Sequence, residues 1–246
     1  MFKKNIIIEG NIGTGKTTLG KKLSELYPDS EFIPEPVDKW ISLRDDGDNK
    51  NILENFYVNK NRWSYSFQTY AFLTRSKLIL EKQTKNIRFL ERSILTDRNV
   101  FAKALYESGD MTNLEWKMYN EWSSWLYDDI IGRIGKPAGI IYIRCDPQVS
   151  FDRVKLRSRS EESSIPLEYL EKIHKYHDDW LLKNELNENV LVIDVNKDFE
   201  NDKEHLDSII EKIKTFVDDI NQKSKITSAE LANELANEQY IGCNIN

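Results

Sequence analysis

Asn5-Ile6-Ile7-Ile8-Glu9 followed at once by Gly10-Asn11-Ile12-Gly13-Thr14-Gly15-Lys16-Thr17 is the stretch that decides the fold of this chain. The short β-branched run reads as a buried parallel strand. The residues after it fit G-x-x-x-x-G-K-[ST] at every fixed position. Leu19, Leu23 and Leu26 then recur at helical spacing, so Lys16 to Leu26 is predicted as a helix. A strand, a glycine loop and a helix in that order form a phosphate cradle. The glycines let successive N–H groups turn inward, the helix N-terminus adds its dipole, Lys16 reaches the outer phosphates and Thr17 can ligate Mg²⁺. A glycine-rich turn that merely joins strand to helix would not need every fixed position filled. The nucleotide set is therefore Gly10 to Thr17 together with Thr18.

The same alternation continues downstream. Strands are predicted at Glu31 to Ile33, Ile87 to Leu90, Gly139 to Ile143 and Val190 to Val195. Helices are predicted at Arg62 to Thr84, Asn113 to Ile134, from Pro147 onward, Pro166 to Leu182 and His205 to Ile220, with a polar surface loop over Ser42 to Asn51. Strands alternating with helices imply an α/β fold, a five-stranded parallel sheet wrapped on both faces. Residues 1–221 suffice for one such domain. Residues 222–246 form a polar tail with a small duplication, Glu230-Leu231-Ala232-Asn233 and Glu234-Leu235-Ala236-Asn237, which reads as a loosely attached helix or a disordered end.

Composition narrows the partners. The chain has 246 residues, 39% of them apolar and 11% aromatic, enough for a sizeable core. Its 35 basic and 41 acidic residues leave a net charge of −6, so neither a nucleic-acid polymer nor an anionic membrane is an expected partner. Cys145 and Cys243 make no disulfide framework and no zinc site. The basic, then apolar N-terminus is cut short by Glu9, too soon for a secretory signal, and no stretch has the apolar length of a membrane span. A soluble, cytoplasmic protein is expected.

A phosphate loop does not name a reaction. Asn196-Lys197-Asp198 places its aspartate one residue early for a guanine-reading N-K-x-D. The third strand ends in Glu91 where a motor ATPase carries Asp. In open parallel sheets ligands bind beyond the carboxyl ends of the strands. There Glu35, held between Pro34 and Pro36, joins Glu91, Arg92 and the phosphate loop. A glutamate fixed beside phosphates is a candidate general base for a substrate hydroxyl, and a small-molecule kinase is the expected class.

Glu35-Pro36-Val37-Asp38-Lys39-Trp40, Arg62 to Tyr70 (RWSYSFQTY), Glu91-Arg92-Ser93 and Ile165 to Lys172 (IPLEYLEK) resemble the deoxynucleoside kinases, in the branch with deoxycytidine and deoxyguanosine kinases. The resemblance runs from about Asn5 to Phe216. It implies transfer of the γ-phosphate of ATP to the 5′-hydroxyl of a deoxynucleoside, with Glu35 as base, Arg92 and Lys16 on the reacting groups, and Thr17 and Glu91 holding Mg²⁺. It implies that Gln68 pairs with the base, that Trp40, Phe67 and Phe101 wall the pocket, and that Tyr57 and Glu162 hold the sugar 3′-hydroxyl. Arg153, Arg157 and Arg159, the densest basic cluster of an acidic chain, correspond to a lid over the ATP phosphates. Ser158 stands there where glycine is expected. Asp194, Asn196, Asp198 and Phe199 belong to the loop around the adenine. Trp116, Trp122 and Trp125 read as core or subunit contact, and the resemblance implies a homodimer.

Ala71, Arg75 and Asp97 follow the deoxycytidine/deoxyguanosine branch. They imply a purine deoxynucleoside or deoxycytidine as substrate, with thymidine disfavoured. Competing expectations are a nucleoside monophosphate kinase of the thymidylate type and an inactive nucleotide-binding regulatory subunit.

Overall fold

The computed structural model describes residues 3–157, 165–183 and 189–242, with side chains described as far as residue 223. Arg159 and Glu162, like Ser158 and Cys243, lie outside the described residues.

The strands are β1 (Lys4–Glu9), β2 (Ser30–Ile33), β3 (Ile87–Glu91), β4 (Gly139–Arg144) and β5 (Val190–Asp194). They form a five-stranded sheet in the order β2-β3-β1-β4-β5, with every neighbouring pair parallel. Around it run α1 (Lys16–Leu26), α2 (Val37–Ser42), α3 (Ile52–Val58), α4 (Lys60–Leu80), α5 (Ile94–Thr96), a π-helical turn (Asp97–Ala102), α6 (Lys103–Glu107), α7 (Asn113–Ile134), α8 (Pro147–Arg157), α9 (Leu167–Leu181) and α10 (Lys203–Gly242).

The two-residue period of β1 explains why both faces are covered. Ile6 and Ile8 point into a core with Leu19, Leu23, Ile141, Ile143, Ile213 and Val217. Ile7, between them, points into the opposite core with Phe72, Leu90, Tyr119, Ile130 and Tyr142. All three isoleucines are at most 2% exposed, and full burial of such a side chain contributes about 1.5–3 kcal/mol.

The α/β architecture is the expected one. The long helix begins earlier and ends sooner than Arg62 to Thr84. Asn59 caps its start by accepting from the Arg62 N–H, and Glu81 leaves helical geometry at its end. Helices α2 and α3 lie within a stretch that carries little periodicity. Their short turns are fixed locally, α3 by a capping box of Asn51 with Glu54. The polar stretch before it is an exposed loop closed by an Arg44–Asn51 bridge. Helix α10 continues unbroken from the domain through Gly242.

Candidate active site

Parallel strands bring their carboxyl ends to one edge, and that edge gathers chemistry from distant parts of the chain. β1 runs into the phosphate loop, β2 into Pro34-Glu35-Pro36, and β3 ends at Glu91 with Arg92 next.

The loop is built on glycines at which any side chain would be strained. Gly15 has φ +89°, and a Cβ there would lie 2.7 Å from Phe199 Cζ. Gly10 has φ +151°, and its Cβ would meet the Ile143 carbonyl at 2.4 Å. Lys16 is 4% exposed, and its ammonium donates to the Gly10 and Asn11 carbonyls at 3.2 and 2.6 Å. Burial, then the Arg92 charge, pulls its pKa down to about 7 against the attraction of Glu91, Glu35 and Glu9. A lysine under that pressure is stabilised by any phosphate that enters.

Thr17 Oγ1 donates to both oxygens of Glu91, at 2.9 Å each. A hydroxyl and a carboxylate side by side are hard oxygen donors of the kind Mg²⁺ takes alongside phosphate oxygens and water. No group of three or more His, Cys, Asp or Glu side chains gathers as an all-protein metal cage among the described residues.

Glu35 accepts from Arg75 at 2.9 Å and lies 3.3 Å from Arg92 Nε. Burial alone would raise its carboxyl, but the charges of Arg92, Arg75 and Lys16 outweigh burial and hold it at about 2. Arg92 reaches this place through a left-handed backbone, φ +65°, which a side chain adopts only where its surroundings over-determine it. Its guanidinium donates to the Gly10 carbonyl at 2.8 Å and lies 4.8 Å above the Phe101 ring.

Arg75 is the hub of the site. It is bidentate on Asp97, at 2.9 and 3.2 Å, and also donates to Glu35 and to the Glu91 carbonyl. Both Arg75 and Asp97 are at most 3% exposed. Burial pushes the Asp97 carboxyl up while Arg75 opposes it, and Arg75 remains a cation throughout the working range.

Two cavities open here. One, of about 240 Å³, is lined by Glu35, Trp40, Tyr57, Phe67, Gln68, Ala71, Arg75, Arg92, Asp97 and Phe101. Trp40 and Phe67 meet edge to face with ring centres 5.3 Å apart. Gln68 is 2% exposed, and its carbonyl oxygen has no partner among the described residues. A buried carbonyl oxygen left without a partner is a group that awaits a ligand. The other cavity, of about 430 Å³, is lined by Gly13 to Thr18, Arg153, Arg157, Asp198 and Phe199. Gly13, Lys16, Thr17, Glu91 and Arg157 line both.

Some expected residues stand elsewhere. Asn11 is buried behind the loop, donating to the Leu170 carbonyl at 2.8 Å, and Ile12 lines the first cavity rather than the second. Asp194 and Asn196 line neither described cavity. They bond to one another, and Asn196 accepts from the Asp146 N–H. Arg153 leans on the Asn196 carbonyl at 3.4 Å. Pocket residues not foreseen are Pro34, Val37, Asp38, Leu53, Phe56 and Tyr169. Phe56 stacks on Phe67 at 4.7 Å, and nothing in its local pattern distinguishes it from a core residue.

A phosphate-loop groove sharing a wall with an aromatic-lined pocket defines the class, a P-loop phosphotransferase. The family model for deoxynucleoside kinase matches residues 6–218. The chain belongs to the deoxynucleoside kinase family. It is 39% identical to bovine deoxycytidine kinase and 38% to the human one, over 87% of this chain and 91% of each relative. It is 34% identical to the mitochondrial deoxyguanosine kinase of Xenopus laevis, over 88% of this chain and 91% of that one. The activity is therefore ATP-dependent phosphorylation of a deoxynucleoside, and neither the monophosphate-kinase nor the inactive-subunit reading is favoured. No helix among the described residues is long and apolar enough to cross a membrane.

Proposed function

We propose that the 240 Å³ cavity takes a deoxynucleoside and the 430 Å³ groove takes ATP, with Mg²⁺ at their shared wall. The observation that carries this is the wall itself, because Lys16, Thr17, Glu91 and Arg157 line both cavities. Phosphoryl transfer needs such an arrangement, since it rests on alignment and charge neutralisation. Thr17 and Glu91 would hold the metal, which neutralises charge on the phosphates.

Glu35 accepts the proton of the 5′-hydroxyl as the new O–P bond forms and the bond to the β-phosphate oxygen breaks, releasing ADP. A carboxylate held at about 2 is a weak base but is always ionised. It takes the proton late, once the attacking oxygen has become acidic, and until then it orients that oxygen. Arg92, beside Glu35, steadies the 5′-oxygen and the transferring group, and Arg153, Arg157 and Arg159 close over the ATP phosphates. Asp198 and Phe199 border the adenine, with Asp194 and Asn196 holding their loop in shape. Tyr57 and Glu162 hold the 3′-hydroxyl.

Gln68 reads the base edge with its unpartnered carbonyl and its amide, which together match a donor–acceptor pair. Ala71, Arg75 and Asp97 border the same edge. The names of the relatives, deoxycytidine and deoxyguanosine kinases, support deoxycytidine or a purine deoxynucleoside over thymidine. A competition assay with deoxycytidine, deoxyguanosine, deoxyadenosine and thymidine at equal concentration tests this. Thymidine monophosphate as the main product would contradict it.

The chain acts as a homodimer in this reading. Support comes from apolar side chains left exposed on adjacent helices, Leu73 and Leu80 on α4 with Leu114, Met118 and Trp125 on α7. Residues 1–221 are the kinase domain, and 222–246 are an appendage to it. A cytoplasmic setting suits a chain whose Cys145 is a free, buried thiol.

A further inference from the structure

Glu9, the last residue of β1, is fully buried and lines neither cavity. Its Oε1 accepts from Ser93 Oγ at 3.0 Å and from Thr96 Oγ1. Its Oε2 faces His177 Nε2 at 4.0 Å, and neither atom has a hydrogen-bond partner among the described residues. His177, on α9, is also 0% exposed, its ring stacked on Tyr142 at 5.8 Å. His177 Nδ1 lies 2.8 Å from the Ile173 carbonyl, which can only accept, so Nδ1 carries the hydrogen. A neutral ring then aims the Nε2 lone pair at a carboxyl oxygen. Two acceptors face each other at 4.0 Å unless the carboxyl carries a proton.

The surroundings place that proton. Burial, then the Arg92 charge, depresses the imidazole well below its usual range. Burial raises the Glu9 carboxyl to about 7, against Arg92, the Thr96 and Ser93 hydrogen bonds and Arg75. Lys16 on α1, His174 on α9 and Tyr142 on β4 also face the pair.

What this carboxyl holds is the turn after Arg92. Ser93 and Thr96 form the capping box of α5, so Glu9 ties that box to the sheet. Arg92 itself donates its N–H to the Ile8 carbonyl at 3.0 Å and its guanidinium to the Gly10 carbonyl at 2.8 Å. Residues 8, 9 and 10 thus grip residues 92, 93 and 96 together, which is the over-determination a left-handed arginine needs.

We propose that Glu9 is a positioning residue for phosphoryl transfer. It fixes the turn that presents Arg92 to Glu35 and the phosphoryl group. This rests on the placing of Arg92 at the reacting groups.

The test is kcat and KM from about pH 6 to pH 9, ATP and deoxynucleoside each varied with the other and Mg²⁺ saturating. Glu9→Ala should lower kcat about tenfold or more while both KM values move less than about threefold. Glu9→Gln offers a carbonyl to the two hydroxyls and an N–H to His177. It should restore kcat at pH 7 to within about threefold of the parent and stay level to pH 9, where the parent declines. Glu9→Gln as impaired as Glu9→Ala would overturn the proposal, and so would a decline that survives in Glu9→Gln, which would belong to Lys16. Should Glu9→Ala not fold, carboxyl ¹³C and imidazole ¹⁵N shifts of the parent protein decide. A neutral Glu9 with His177 as the Nδ1–H tautomer at pH 6 is expected, and an imidazolium there overturns the pairing. Arg92→Met with undiminished kcat would sink the Arg92 assignment while leaving those shifts unchanged.

Discussion

Replacing Arg75 with methionine is the perturbation whose magnitude the structure fixes best. The substitution removes the bidentate partner of Asp97, a hydrogen bond to Glu35 and one to the Glu91 carbonyl. Asp97 is 2% exposed, so water cannot replace what is lost. Breaking a buried pair on one side costs about 3–5 kcal/mol, because a charge is left behind rather than because the pair was strong. Protonation of Asp97 limits the penalty, since burial already favours its neutral form. For a chain of this length about 4 kcal/mol corresponds to a fall in Tm of about 8–16 °C. Removing Asp97 as well eliminates the orphan charge, and Arg75→Met with Asp97→Ala should recover more than half of the loss. Urea unfolding followed by tryptophan fluorescence measures both. The double variant should also raise the thymidine to deoxycytidine ratio of kcat/KM by about tenfold, though its kcat falls because Glu35 has lost a partner. A single variant within about 1 kcal/mol of the parent, or a double variant no more stable than the single, would refute the reasoning. Unchanged base selectivity would refute the placing of this pair at the base edge.

Other consequences can be checked in the same assays. Glu35→Gln should lower kcat by about 10²–10⁴ while the Kd for ATP stays within about threefold, measured by single-turnover kinetics and titration. Glu35 is depressed from 4.5 to about 2, so its ionised form is present above the ordinary range and is lost only as pH falls through about 2. It should therefore give kcat no acid limb between about pH 5 and pH 9, and a limb near 4.5 that disappears in Glu35→Gln would contradict its ion pairs with Arg92 and Arg75. Gly15→Ala forces a Cβ to 2.7 Å from Phe199 at φ +89°. It should raise KM for ATP about tenfold with little change in KM for the deoxynucleoside, and an unchanged KM for ATP would remove Phe199 and Gly15 from the donor site.

The sheet was legible because each strand carries its own signal. Ile6, Ile7 and Ile8 announce a strand covered on both faces, and the loop after them needs specific glycines at specific places. The outline of the site was legible for a related reason, since strand ends in a parallel sheet share an edge, which brings Glu35, Glu91 and Arg92 together. Other parts were hidden. The π-helical turn at Asp97–Ala102 has no sequence period of its own, yet it carries Asp97 and Phe101 into the cavity. Phe56 and Leu53 look like core residues because they are both core and wall. Glu9 reads as the end of a strand. Its buried contacts with Ser93, Thr96 and His177 join residues 84, 87 and 168 positions apart, and no local pattern records them.

The central claim is that the shared wall of the two cavities passes phosphate from ATP to a nucleoside hydroxyl. It is tested most directly by comparing kcat/KM for deoxynucleosides with that for their 5′-monophosphates, using γ-labelled ATP and Mg²⁺ and identifying the labelled product. The account predicts label in deoxynucleoside 5′-monophosphates, deoxycytidine or a purine deoxynucleoside reacting best. Label appearing only in diphosphates, or remaining in ATP throughout, would contradict it.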